Sequence, residues 1–142
     1  MTRINLVPVE ELSDQHLVAE YHELPRCIKQ NIDTSAAPHK YTLGKGHVKW
    51  AKKHSKFLIE RYEKLYVEIK YRGFNANYPP GDLIAHYKIN CKKENRLYYD
   101  PSWVSIEISR QKLIDKIRQK PNFYKWTRRP NPYKTAINIE VI

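Results

Sequence analysis

No apolar run in this chain approaches the roughly 18 residues that a membrane-spanning helix requires, and its sequence reads as neither a signal peptide nor a lipidation motif at any point. A cytoplasmic protein with no membrane partner is the expectation. Cysteine is scarce too. Cys27 and Cys91 are the two among 142 residues, too few for a disulfide-stapled scaffold and without CxxC spacing, so both are expected as reduced thiols. Glycine is held to four residues, and they build neither a GxxxxGK[ST] phosphate loop nor a GxGxxG dinucleotide fingerprint. GxSxG is missing as well, which leaves nucleotide hydrolase, dehydrogenase and serine hydrolase readings without support. The six histidines do not assemble into a ligand set: His47 and His54 share a helical face, but no neighbouring cysteine or carboxylate completes a zinc pattern. Neither a metal nor a cofactor is expected.

Negative charge is the other shortage. Fifteen Asp and Glu stand against 26 Lys and Arg, a formal net charge of +11. An excess of that size calls for a polyanionic partner, and without a membrane signal the preferred one is nucleic acid. The length suits one domain over residues 1–142 with a single core. Nothing in it demands an oligomer, so a monomer is expected.

The pattern predicts a mainly α fold of three principal helices joined by long irregular stretches. Ser13 is placed to cap the first, with Leu12 and Leu17 as a hydrophobic staple. Leu17, Tyr21, Leu24 and Ile28 form its apolar stripe, and His16, Glu20, Glu23 and Arg26 its polar face. Pro25 removes one backbone donor and argues for a kink or a loosened turn. A second helix is expected from about His47 to Arg72, with Gly73 as its left-handed stop. Residues 75–100 read as irregular. Val104, Ile106 and Ile108 alternate with polar neighbours as an extended lead, after which Ser109 is expected to cap a third helix bounded by Pro121. Lys112, Lys116 and Lys120 make a one-turn-spaced basic stripe on that helix.

Three features carry possible chemistry. Thr2 is small enough for Met1 to be removed, and a chain-terminal α-amine has a pKa near 7.7 to 8.0 against roughly 10.4 for lysine, so a useful fraction is the free nucleophile at neutral pH. Glu23 lies on a helical face with Arg26 and near His22, where it can stabilise developing positive charge; taken on its own, the residue fits a surface ion pair better. The segment KPNFYKWTRRPNPYK interleaves Phe123, Tyr124, Trp126 and Tyr133 with lysines and arginines, Lys125 among them. Aromatic faces stack on exposed bases while cations hold phosphates, although the same aromatics can close a core. Charge alone suits a noncatalytic DNA-binding or architectural module as well as an enzyme.

MTRINL at the start, SDQHLVAEY through ELPR, LGKGHV, RGFN, and ISRQKLIDKIRQKPNFYKW stand in this order along the chain. Together they make it resemble the pyrimidine dimer DNA glycosylase family. The resemblance implies a single helical domain with the amino terminus inserted between helices. It also implies an N-glycosylase with AP lyase activity, without metal or cofactor, acting on double-stranded DNA that contains pyrimidine dimers or abasic sites. By matching position it gives Thr2 the nucleophilic α-amine and Glu23 the essential carboxylate. Arg3, His16, His22, Arg26, Lys112, Lys116, Lys120, Phe123, Tyr124 and Lys125 become DNA-binding positions. His22 stands where the family pattern has arginine, so a permanent charge becomes a titratable one. A different damaged base is the alternative substrate that His22 and the divergent loops leave open.

Overall fold

Ser13 starts the first helix as its side chain predicts: its Oγ accepts from the His16 amide at 3.1 Å. The computed structural model describes residues 4–134, and the helix it opens, α1, is Asp14–Lys29. Leu12 and Leu17 are both fully buried, as a staple requires. α1 runs on through Pro25. Its stripe of Leu17, Tyr21, Leu24 and Ile28 is buried as read, but so is Glu20, which the periodicity assigned to the polar face.

Five α-helices rather than three make up the described residues, with no strand among them: α1, α2 (His47–Lys53), α3 (Ser55–Tyr71), α4 (Pro80–Asn90) and α5 (Trp103–Gln119). Each departure from the sequence reading has a local cause. The expected 47–72 helix is interrupted at His54, whose backbone sits at φ −102° and ψ 43°. There the Lys53 carbonyl accepts from the Leu97 amide at 3.3 Å, and His54 bridges to Arg96, so tertiary pairing displaces helical bonding. At its far end α3 stops as expected. Gly73 takes φ +85°, and the amides of Gly73 and Phe74 reach back to the carbonyls of Lys70 and Ile69, the Schellman pattern.

α4 falls inside the stretch read as irregular. Pro79, Pro80 and Gly81 mark a helix start rather than a continuing loop, because a proline at the first helical position surrenders only an amide that would be unpaired anyway. Leu83 fixes α4 on the core. The alternation at residues 104–108 is not an extended lead either. α5 begins at Trp103 under a Ser102 cap, whose Oγ accepts from the Ser105 amide at 3.1 Å. Its buried stripe is Ser105, Ser109, Leu113 and Ile117, so it opens with two serines that no hydrophobic count detects. Val104 and Ile108, one turn apart, face outward.

Ser109 is small for a reason visible in the amino-terminal segment. Ile4, Asn5, Leu6 and Val7 are buried, threaded between helices, and their backbone is held by side chains. The Leu6 amide donates to Ser109 Oγ at 2.9 Å, and the Ile4 amide donates to His47 Nε2 at 2.8 Å. Tyr41 donates to the Ile4 carbonyl and Arg61 to the Val7 carbonyl. The expected insertion of the amino terminus between helices holds for these residues.

A second tie fixes the tail. The Asp14 carboxylate accepts from Arg72 at 3.0 Å and from the amide and hydroxyl of Thr127, while the Asp14 amide donates to the Lys125 carbonyl at 2.7 Å. Trp126 donates to the Glu11 carbonyl. Buried Tyr133 donates to the Glu11 carboxylate, which also binds Arg110. Asp14→Ala is expected to cost about 3 kcal/mol, because it strips the buried Arg72 of one counter-charge and leaves Thr127 unpaired; chemical denaturation read by far-ultraviolet circular dichroism checks this.

Candidate active site and nucleic-acid interface

α1, α5 and the amino-terminal segment enclose a cavity of about 260 Å³, lined by Asn5, His16, Ala19, Glu20, Glu23, Leu113 and Lys116. Two carboxylates face it, and their bonding separates them. Glu20 is buried and fully engaged: Arg61 Nε donates to it at 2.6 Å, Arg61 NH2 at 3.2 Å and Asn5 Nδ2 at 2.8 Å. Removing Arg61 would leave a bare charge in the core, so this pair is structural. Glu23, one turn on, is half-buried and makes no hydrogen bond or ion pair to a described residue; the Arg26 partnership that its spacing allows is not formed. Glu23 is therefore the carboxylate free to act on something entering the cavity.

Asn5 adds an unusual feature. Its amide nitrogen must point at Glu20, since a carboxylate accepts and cannot donate. That turns Oδ1 the other way, where it is buried with no partner among the described residues. A buried carbonyl without a donor costs about 1–3 kcal/mol, a penalty that a donor arriving in the cavity would relieve. Cys27, on the same helix, is excluded as a nucleophile because burial, and after it Glu20 and Glu23, push its thiol up to about 12. Both cysteines are free, as expected. Among the described residues no group of three or more His, Cys, Asp and Glu converges as a metal site.

The predicted site residues divide into neighbouring groups. Glu23, His16 and Lys116 share the cavity just described. His16 also stacks on Tyr124, ring centroids 4.6 Å apart, which brings the tail against the cavity rim. Lys112 lies one turn from Lys116 along α5, and Lys120 closes that helix with its ammonium over the Phe123 ring. Phe123 is 54 % exposed, whereas Trp126 and Tyr133 close the tail's own small core. Lys125 borders an open groove with Gln15, Val18, Phe74 and Thr127. His22 and Arg26 do not enter the Glu23 cavity. They line a separate pocket of about 350 Å³ with Tyr21, Tyr62, Tyr78 and α4 residues, where the Tyr21 and Tyr62 hydroxyls both donate to the Tyr78 carbonyl. Thr2 and Arg3 lie outside the described residues.

Sequence reasoning missed Asn5 and the buried role of Glu20. An Asn four residues from the start carries no periodic signal, and Glu20 becomes internal only because Arg61, 41 positions away, meets it.

A family model described as pyrimidine dimer DNA glycosylase matches residues 1–80, more than half of the chain. The chain belongs to this family. The matched part supplies Asn5, His16, Glu20 and Glu23 to the cavity, and the residues beyond it supply Leu113 and Lys116. Membership makes the chain a DNA glycosylase by family and gives the +11 charge its polyanion, DNA bearing pyrimidine dimers. Among the described residues no helix is long and apolar enough to cross a membrane.

Proposed function

We propose that the chain, a monomer forming one domain over residues 1–142, excises cyclobutane pyrimidine dimers from duplex DNA and then cuts the strand as an AP lyase. The carrying observation is Glu23, a carboxylate without a partner among the described residues, in a cavity whose other wall is the amino-terminal segment. Three residue-to-residue steps lead from Thr2 to Asn5, a span of at most roughly 11 Å, so the Thr2 nitrogen can reach that cavity once Met1 is gone.

In this reading the Thr2 amine attacks C1′ of the damaged nucleotide. A new N–C1′ bond forms, the glycosidic bond breaks, and the departing ring nitrogen keeps the electron pair and takes a proton. Opening of the sugar ring at O4′ gives a protonated imine. Loss of a C2′ proton then allows β-elimination, which breaks the C3′–O bond and severs the strand; water releases the amine. Glu23 stabilises the cationic sugar and carries protons between these steps. Asn5 Oδ1 accepts from the amine, supplying the donor that its burial lacks. The reaction as written uses no metal or cofactor. Arg3, His22 and Arg26 with Lys112, Lys116 and Lys120 hold phosphates, and Phe123, Tyr124 and Lys125 border the displaced bases; family members kink the duplex and turn out a base opposite the lesion.

Borohydride reduction on ultraviolet-irradiated duplex tests this directly: a covalent adduct at residue 2 is expected, and its absence with fully processed protein sinks the imine route. Cleavage of dimer, abasic and oxidised oligonucleotides side by side separates dimer specificity from the wider damaged-base reading that His22 favours. Lys116→Ala is expected to weaken binding to damaged and undamaged DNA alike and to lower the salt slope by about 0.9, the loss of one phosphate contact. A fluorescence anisotropy titration at several salt concentrations measures it.

A further inference from the structure

A pocket of about 200 Å³ lies at the far end of α1, away from Glu23. Its polar lining is Lys29, Lys52, His86 and Lys92 with the amides of Gln30, Asn31, Asn90 and Asn95. No carboxylate lines it. Asp33 acts electrostatically with Lys92, but both Asp33 oxygens accept from the amide and hydroxyl of Ser35.

Three ammonium groups converge here, none in an ion pair with a described residue. Lys52 is held in place: its Nζ donates to the Ile28 carbonyl at 2.8 Å, which uses one of three protons and leaves two to offer. Burial holds the Lys52 ammonium below the usual lysine range, with Cys91 opposing the shift and Lys92 adding to it. Capping the last carbonyls of α1 would account for Lys52. It does not account for Lys29 and Lys92, exposed side chains with no ion pair among the described residues, nor for the ring of amide groups between them. Amides and ammonium groups around a concave site suit an anion with several acceptor oxygens.

Position narrows the anion further. On α1, His22, Arg26 and Lys29 fall within about 60° of one another around the axis and rise by about 10 Å. They form a basic edge leading from beside Glu23 to this pocket, and Lys29 borders both it and the Tyr78 pocket. We propose that Lys29, Lys52, His86 and Lys92 seat a backbone phosphate of duplex DNA flanking the lesion, extending the footprint beyond the damaged site along α1 to the end of α4. The proposal rests on the functional reading above only in taking DNA as the polyanion.

Salt-dependent binding of undamaged duplex tests it independently of cleavage. Lys92→Gln carries the experiment because its side chain takes no part in packing, with Lys52→Gln as a companion whose thermal stability is followed in parallel. On a long duplex, Lys92→Gln is expected to lower the salt slope by about 0.9. On a duplex trimmed to the immediate surroundings of the active site, wild type and variant should coincide. An unchanged slope on the long duplex overturns the proposal, including the case in which Lys52→Gln merely lowers stability. Inorganic phosphate, titrated while the amide resonances of Asn31, Asn90 and Asn95 are recorded by NMR, supplies the second arm. If phosphate saturates these amides but duplex length has no influence on the variant, the pocket is a small-anion site and the DNA assignment is wrong. Failure of dimer cleavage by the wild type would sink the catalytic reading and leave this measurement standing.

Discussion

Glu23→Gln is expected to bind dimer-containing DNA with nearly wild-type affinity and to cut it at least 10²-fold more slowly, on the order of 10³-fold for a group acting in proton transfer and cation stabilisation. The expectation rests on what Glu23 does not do. It pairs with no described residue, so glutamine of the same shape orphans nothing and the fold should stand. The cavity would lose its one unengaged carboxylate, because the oxygens of Glu20 are taken by Arg61 and Asn5. Single-turnover cleavage of an irradiated oligonucleotide, set beside anisotropy binding, separates the two effects. A variant that cuts at the wild-type rate removes Glu23 from the reaction.

Retention of Met1 should be damaging as well. A processed Thr2→Ala variant keeps a chain-terminal amine at the same place and should remain trappable by borohydride, whereas Thr2→Leu, whose bulky second residue hinders removal of Met1, should give no adduct at residue 2. In the retained form the residue-2 nitrogen is an amide, and the only terminal amine sits one residue, about 3.8 Å, further out. Reacting atoms must lie within about 3–3.5 Å and in line. A shift of a full residue is therefore expected to cost both base release and strand cutting 10²-fold or more. Intact-mass measurement of each preparation, paired with its trapping yield, makes the comparison. A trapped adduct in protein that still carries Met1 would show that another amine is the nucleophile.

The segment from Ile4 to Val7 gives these two outcomes a shared structural basis. His47 accepts the Ile4 amide and its Nδ1 lies 2.7 Å from the Thr42 carbonyl, so the ring is a neutral imidazole that donates on one side and accepts on the other. Tyr41 and Ser109 hold the same strand of chain from two further elements. A nucleophile at a chain end ordinarily carries the freedom of a terminus. Here its base is fixed by side chains from α2, α5 and the loop before α2.

Legibility in the sequence varied with the range of the forces involved. The cap at Ser13, the staple, the stripe of α1 and the glycine stop of α3 were all readable, because each is decided within one or two helical turns. The interruption at His54 was not, since it depends on Arg96 and Leu97 arriving from 42 and 44 residues away. α4 was hidden by a proline pair that signals a start and a stop with equal strength. α5 was misread because its buried face opens with two serines, of which Ser109 receives the backbone amide of Leu6.

At the candidate site, local pattern placed His16 and Glu23 on one helical face. What it could not do was tell Glu20 from Glu23, two acids on neighbouring positions of one polar face with opposite fates. It also grouped His22 and Arg26 with Glu23, whereas a rotation of only about 60° to 100° around α1 delivers them to a different pocket.

By itself the sequence determined the helical character, the excess of positive charge that selects a polyanion, and the motifs that identify the family, because propensity, net charge and residue order are properties of the chain before it folds. Tertiary structure decided which carboxylate is free, where the chain's first described residues are anchored, and which lysines converge with no ion pair among the described residues. Those outcomes depend on burial and on partners remote in sequence, and a charge acquires its chemical role only when folding has removed water and either supplied or withheld its partner.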